Sequence, residues 1–171
     1  MGLIVSVRGY TPKIDDSCFV AENATVIGDV TVGEGSSIWF GAVVRGDVNK
    51  ITIGKNVNIQ DNAVIHTLYE KSVAVIGDNV SIAHNAVVHG ATLKNNCLVG
   101  IGAVVLDNAV IGEGALVAAN SVVLSGTIIE PNSLYGGVPA KKIKNVSPET
   151  AKNTVQRISD NYSMYASWYK K

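Results

Sequence analysis

Charge is scarce in this chain. Of its 171 residues only 16% are Asp, Glu, Lys or Arg, and 14 acidic residues cancel 14 basic ones. A neutral chain gives neither nucleic acid nor an anionic membrane surface an electrostatic handle, so neither is an expected partner. Cysteine is nearly absent. Cys18 and Cys97 are too few and too far apart for a disulfide framework; they read as small reduced residues in or near a core, with a cytoplasmic location as the default. No apolar run is long enough to span a membrane. The N-terminus lacks the basic and apolar regions of a signal peptide, and MGLIVS fits only the permissive myristoylation pattern. A chain that is 47% hydrophobic and so low in charge suggests that other subunits cover part of its surface.

What is present is a repeat. An Ile or Val recurs every six residues at Ile14, Val20, Val26, Val32, Ile38 and Val44, then at Ile53, Ile59 and Ile65. It resumes at Ile76, Ile82 and Val88, and runs on through Val99, Val105, Ile111, Val117, Val123 and Ile129. A six-residue period marked by β-branched residues predicts an all-β fold, a parallel β-helix of hexapeptide repeats in which each hexad supplies one strand and one corner. Three hexads make a triangular turn, so the array holds roughly six to seven turns. With strands about 4.8 Å apart, it forms a prism on the order of 30 Å tall. The spacing stretches between Val44 and Ile53, between Ile65 and Ile76, and between Val88 and Val99. It predicts bulges or loops there, with Thr67 to Ser72 (TLYEKS) as the protruding one.

Residues 1–13 read as an entry segment, and residues 1–146 as one β-helix domain. Residues 147–171 read as a C-terminal amphipathic helix on the same domain. Ser147, Pro148 and Glu149 supply an N-cap, a proline at the first helical position and an acid in the first turn. Val155, Ile158, Tyr162, Tyr165 and Tyr169 then recur at three- and four-residue steps. This face packs on the prism or on a neighbouring subunit.

The residue after each marker is often small, and against that background Arg45, Gln60, His66 and His89 stand out as bulky and polar. All three histidines of the chain, His66, His84 and His89, lie within this stretch. Counting markers, Ile65, Ile76, Ile82 and Val88 make one full turn, so His66 and His89 stack on one face at adjacent levels. His84 belongs to another face. One narrow prism does not easily gather three rings around a point, whereas two prisms side by side do. A metal shared between subunits follows, and neutral imidazole suits Zn²⁺ and other borderline divalent ions. The plainer reading of any single histidine is a hydrogen-bonded corner residue, or the lone catalytic histidine of an acyltransferase.

The segments VVRGD (Val43 to Asp47), IQDNAVIH (Ile59 to His66) and AHNAVVHG (Ala83 to Gly90), with the downstream YGGVPAKKI (Tyr135 to Ile143), resemble the signature blocks of γ-class carbonic anhydrases. The resemblance spans nearly the whole chain. It implies a left-handed parallel β-helix and a homotrimer with a metal at each interface, zinc or alternatively iron or cobalt. It assigns His66 and His89 to one subunit and His84 to its neighbour. It makes Arg45 and Asp47 an interface ion pair, Gln60 the residue that hydrogen-bonds the nucleophile, and Asp61 an acid behind the ligands. The implied reaction is attack of a metal-activated water on CO₂ to give bicarbonate. The hand comes from the resemblance alone, since the usual crossover rule would favour the right-handed sense.

The chain also departs from the archetype. Val48 stands where a glutamate follows the aspartate, and the long acidic loop shrinks to TLYEKS, leaving Glu70 as the one local candidate for moving a proton. Tyr135 is a further candidate for a hydrogen-bonding role at the site, or simply a tyrosine packing the last turn. The missing acids keep two other functions open: a CoA-dependent acyltransferase or thioesterase-like relative, and a non-catalytic metal-binding scaffold.

Overall fold

The chain is described by a computed structural model covering residues 2–169. Met1 of the entry segment and Lys170 and Lys171 of the expected helical segment lie outside the described residues.

Marker residues stack directly on one another. On a first face, parallel strands register Ile4 on Val26, Val26 on Val44, Val44 on Ile65, Ile65 on Val88, and so on to Val105 and Val123. On a second face the column is Ile14, Val32, Ile53, Ile76, Leu93, Ile111 and Ile129. On a third it is Val20, Ile38, Ile59, Ile82, Val99, Val117 and Tyr135. Alternation along each short strand sends these side chains inward, where they and interleaved alanines form a single buried cluster. The result is a triangular parallel β-helix of about seven turns.

The stretched spacings resolve in three ways. Residues 67–73 leave the sheet as a loop between strands Val64–His66 and Ala74–Ile76. Residues 44–53 do not; Val43–Ile53 is one 11-residue strand that turns the corner between the first two faces. Its extra residues are absorbed where the register against strand Thr25–Val32 shifts between Gly28 and Val30. Nor is there a loop between Val88 and Val99: Leu93, branched at Cγ rather than Cβ, takes the marker position on the second face. Within the entry segment, Leu3–Val5 is already a strand on Thr25–Ile27. Corners are turned by residues with left-handed backbone, Asn56, Asn62, Asn79, Asn85, Asn96, Asn108, Asn120 and Asn132 among them. Asparagine tolerates that conformation better than other residues with side chains.

The chain leaves the prism through Lys141–Asn145, antiparallel to Ser133–Gly136, and enters helix Pro148–Ser167, capped by the Ser147 hydroxyl accepting from the Thr150 amide. Twenty helical residues span about 30 Å, the height of seven strands at about 4.8 Å. The helix uses that match to run the length of its own prism. Ala151 lies beside Gly114, the Ser159 hydroxyl donates to Asn56 O at 3.3 Å, and Tyr169 meets Phe19 and Phe40 at 5.4 and 5.6 Å between ring centroids. It covers strands of the third face. Cys97 is fully buried, and burial pushes its thiol pKa up, so it acts as a small hydrophobe. Among the described residues no helix is long and apolar enough to cross a membrane.

Gly28 carries a close-packing constraint. Its φ is +75°, and a Cβ there would stand 2.4 Å from Gly46 O, between Arg45 and Asp47. Gly126, at φ +70°, has nothing within 4 Å. Gly126→Ala should therefore cost only the left-handed penalty, about 1–2 kcal/mol. Gly28→Ala should cost roughly 1–3 kcal/mol more for backbone overlap. Urea unfolding of the two variants checks this, and equal losses would refute the packing argument.

Candidate metal centre

The first-face register puts His89 directly on His66. Their rings are 5.1 Å apart between centroids, and His66 Nδ1 faces His89 Nε2 at 3.1 Å. Strand alternation points both side chains outward, beside the corner reached by Val43–Ile53. From that strand Asp47 Oδ1 approaches His66 Nε2 at 3.1 Å, while Asp47 Oδ2 pairs with Arg45 Nη1 at 2.5 Å. The Arg45–Asp47 pair thus closes within one chain, two residues apart across Gly46. Asp107 stands on the far side of His89, against Nδ1 at 2.9 Å.

His84 lies elsewhere, on the corner between the third and first faces, one turn above Asp61. Its Nδ1 is 2.8 Å from Asp61 Oδ2, and its Nε2 is 3.2 Å from the Tyr162 hydroxyl of the C-terminal helix. Gln60 is buried beneath. Its Oε1 accepts from the His84 amide at 3.2 Å and its Nε2 donates to Asn58 Oδ1 at 2.9 Å. One amide hydrogen and one lone pair of Gln60 remain for another partner.

Each histidine therefore has a carboxylate on one ring nitrogen. A neutral ring that donates to a carboxylate must present a lone pair at its other nitrogen, the arrangement in which histidine ligates metals. Electrostatics favour the neutral form of His66 at the central contact. Burial depresses the His66 pKa; the Asp47 hydrogen bond opposes this and the Arg45 charge reinforces it, with a net downward shift. Burial alone would raise the Asp47 pKa, but hydrogen bonds from Arg45 and His66 outweigh it and hold the carboxyl below its usual range. With both outer nitrogens protonated, His66 Nδ1 and His89 Nε2 would turn two lone pairs toward each other at 3.1 Å. A cation relieves that repulsion, and two nitrogens about 2.0–2.1 Å from a tetrahedral zinc ion sit roughly 3.3 Å apart. The donor set fits zinc. Among the described residues, no three His, Cys, Asp or Glu side chains of one chain converge to hold an ion.

The remaining candidates are placed differently. Glu70 is exposed at the loop tip and lines a cavity of about 200 Å³ together with Asp47, Asn49, Lys50 and Tyr69. Tyr135 occupies the marker position of the last third-face turn, packed against the core and three turns above the level of Ile82. It is not brought together with the histidines. Asp107, Ser72 and Tyr162 contact the site or its supports and were not legible as site residues. A turn count gives part of the signal: Leu106 stacks one turn above His89, which puts Asp107 beside it. Nothing in the sequence signals that Tyr162 reaches His84. Burial, and next the Asp61 charge, push its hydroxyl pKa up to about 12, so it stays a donor toward His84 Nε2.

Comparison with known proteins places this geometry in a lineage. Residues 11–46 and 90–125 match the bacterial transferase hexapeptide family (six repeats), and that repeat marks the β-helix as left-handed. A carbonic anhydrase of Geobacillus kaustophilus is 40% identical over 168 residues, covering 98% of this chain and 91% of its own. Gamma carbonic anhydrase 2, mitochondrial, of Arabidopsis thaliana is 43% identical over 85% of this chain, which spans only 54% of that longer relative. A crystal structure of a Bacillus cereus protein described as a putative acetyltransferase superposes with a TM-score of 0.93 at 40% identity, covering 98% and 96% of the two chains. With 40% identity to a named carbonic anhydrase over 98% of its length, the chain belongs to the γ-carbonic anhydrase family of hexapeptide-repeat proteins.

Proposed function

We propose that three copies of this chain assemble so that His66 and His89 of one subunit and His84 of the next hold a divalent metal ion, and that the site hydrates CO₂ to bicarbonate. The observation that carries the reading is the 3.1 Å approach of two imidazole nitrogens, each ring backed by an aspartate. A second supports the assembly. The outer surface of the first face is a column of half-buried valines, Val43, Val64, Val87, Val104 and Val122, flanked by Leu124 at 49% and Ile101 at 52% exposure. Apolar surface of that extent beside polar ligands suits a subunit contact. Zinc is the ion that the imidazole set favours, with iron and cobalt within the same donor chemistry.

Zinc, when bound, supplies the Lewis acidity that makes water nucleophilic near neutral pH. The chain's own groups do the rest. Asp47 and Asp61 hold the N–H sides of His66 and His84, which leaves a lone pair on the other nitrogen of each neutral ring; at His84 that nitrogen faces the Tyr162 hydroxyl, which must give way to the metal. Gln60, anchored at Asn58 and at the His84 amide, uses its spare amide hydrogen and lone pair to orient the attacking water and CO₂. Arg45, neutralised by Asp47, retains guanidinium donors for the charge that develops on bicarbonate. The proton leaves by the cavity that Asp47 and Glu70 share, to Glu70 or to buffer. The Bacillus cereus relative's description motivates a second reading, CoA-dependent acyl transfer. Anaerobic purification with elemental analysis, then CO₂ hydration kinetics and acetyl-CoA turnover on one sample, separates the two. Stoichiometric metal with neither activity would favour a scaffold.

Shared ligation has a direct consequence. His66→Ala chains alone and His84→Ala chains alone should each fail to hold stoichiometric zinc. Refolded together they should recover some intact sites, because each site draws one ligand set from each parent. A mixture that binds no more metal than its components would sink the shared site.

Proton export gives another. With Glu70 the one acid at the loop tip, imidazole buffer should raise kcat while leaving kcat/KM for CO₂ nearly unchanged, since the latter precedes proton release. Glu70→Gln should lower kcat by roughly a hundredfold, the lower end of a proton-transfer contribution, and buffer should restore it. Turnover that is insensitive to both would exclude Glu70 from the relay.

A further inference from the structure

The loop 67–73 is short, yet it is not idle. The Leu68 amide donates to Ser72 Oγ at 2.9 Å, and the Ser72 hydroxyl donates to Asp107 Oδ1 at 2.6 Å. Asp107 in turn faces His89 Nδ1 with both oxygens, at 2.9 and 3.0 Å. Ser72 is only 4% exposed, so its hydroxyl is spoken for by protein rather than by solvent. Backbone bonds from the amides of Lys71 and Ser72 to Leu68 O close the loop into a tight turn and fix where Ser72 points.

A second feature of the chain is cut to this arrangement. Gly90, next to His89, has φ +57°, and a Cβ there would stand 2.0 Å from Ser72 Oγ and 2.3 Å from Asp107 Oδ1. Any side chain at that position would take the space in which the serine and the carboxylate meet. The step from Val88 to Leu93 is five residues instead of six, so the strand turns early at this glycine. The loop, the glycine and the aspartate thus converge on one ring nitrogen.

We infer that Ser72 and Asp107, admitted by Gly90, form a clamp that positions His89. The clamp fixes Nδ1 as the protonated nitrogen and aims the Nε2 lone pair at the gap facing His66. Its bearing on metal rests on the ligand role proposed for His89; its bearing on the tautomer does not. Asp107 and Ser72 are positioning residues. They act on the site through His89, and the loop that carries Glu70 at its tip carries this support at its base.

The test uses the full-length protein. Long-range ¹⁵N–¹H correlation on metal-free samples reads which His89 nitrogen carries the proton, and chelator competition reads zinc affinity. The wild type should show His89 protonated at Nδ1. Asp107→Ala should lose that preference and bind zinc about 10–100-fold more weakly, the usual consequence of removing a ligand's hydrogen-bond partner. Asp107→Asn keeps an acceptor oxygen and should retain the tautomer with a smaller loss of affinity; Ser72→Ala should weaken both in the same direction. A metal-free wild type with His89 protonated at Nε2 would overturn the clamp. So would an Asp107→Ala protein that loses affinity with its tautomer unchanged, or that matches the wild type in both. A wild type that binds no zinc would defeat the metal reading instead, and the tautomer would still decide the clamp.

Discussion

Everything in this molecule hangs on the vertical stacking of β-branched side chains at the spacing of hydrogen-bonded parallel strands. Three columns of Val and Ile meet at the centre, buried almost without exception between the first and last turns. Each turn buries its apolar edge only against the turns above and below, as in any solenoid. That one-dimensional order converts distance along the chain into height along an axis. Two histidines 23 residues apart therefore meet ring to ring, with no need for a pocket carved from distant segments.

On this frame the chemistry is arranged as two imidazoles flanked by two carboxylates. Asp47, His66, His89 and Asp107 form a row across the first face, with Arg45 closing one end and Ser72 the other. Both terminal aspartates are held below the usual carboxylate range, where burial alone would raise them, because hydrogen bonds on each outweigh desolvation. Carboxylates at the two ends leave two imidazole nitrogens facing each other at the centre. His84 repeats the motif once more on the adjoining corner, with Asp61 behind it and Tyr162 across it.

Much of this was legible in the residues alone. The six-residue period gives the architecture, and marker counting gives the register of His89 on His66 and the separate face of His84, because the stack is regular enough to count. Legibility fails where regularity does. Leu93 is not β-branched, so a sheet position reads as a loop. The excess length of Val43–Ile53 is taken up inside a continuous strand, since Gly28 and Gly46 can lie flat on each other there. Asp107 and Ser72 are ordinary polar residues in sequence; the turn above sets Asp107 beside His89, and only the loop's closure brings Ser72 onto Asp107. Tyr162 is harder still: it reads as one more apolar position on a helix, and its hydroxyl's destination depends on how that helix is laid along the prism. The hand of the coil comes from the match to the hexapeptide family rather than from counting markers.

Finally, the histidine pair sits on the fourth and fifth of the seven levels of the first face, counting Ile4 as the first. Solenoids open from their ends, where a turn has a neighbour on one side only. Ile4, Ile14, Val20 and Tyr135 are the partly exposed terminal residues of the three columns, so fraying begins there. Amide exchange should be fastest at both tips and slowest at mid-height, and the chain can breathe at either end while the imidazole geometry stays intact. By that argument the centre of the column is its quietest place, and that is where the two imidazoles meet.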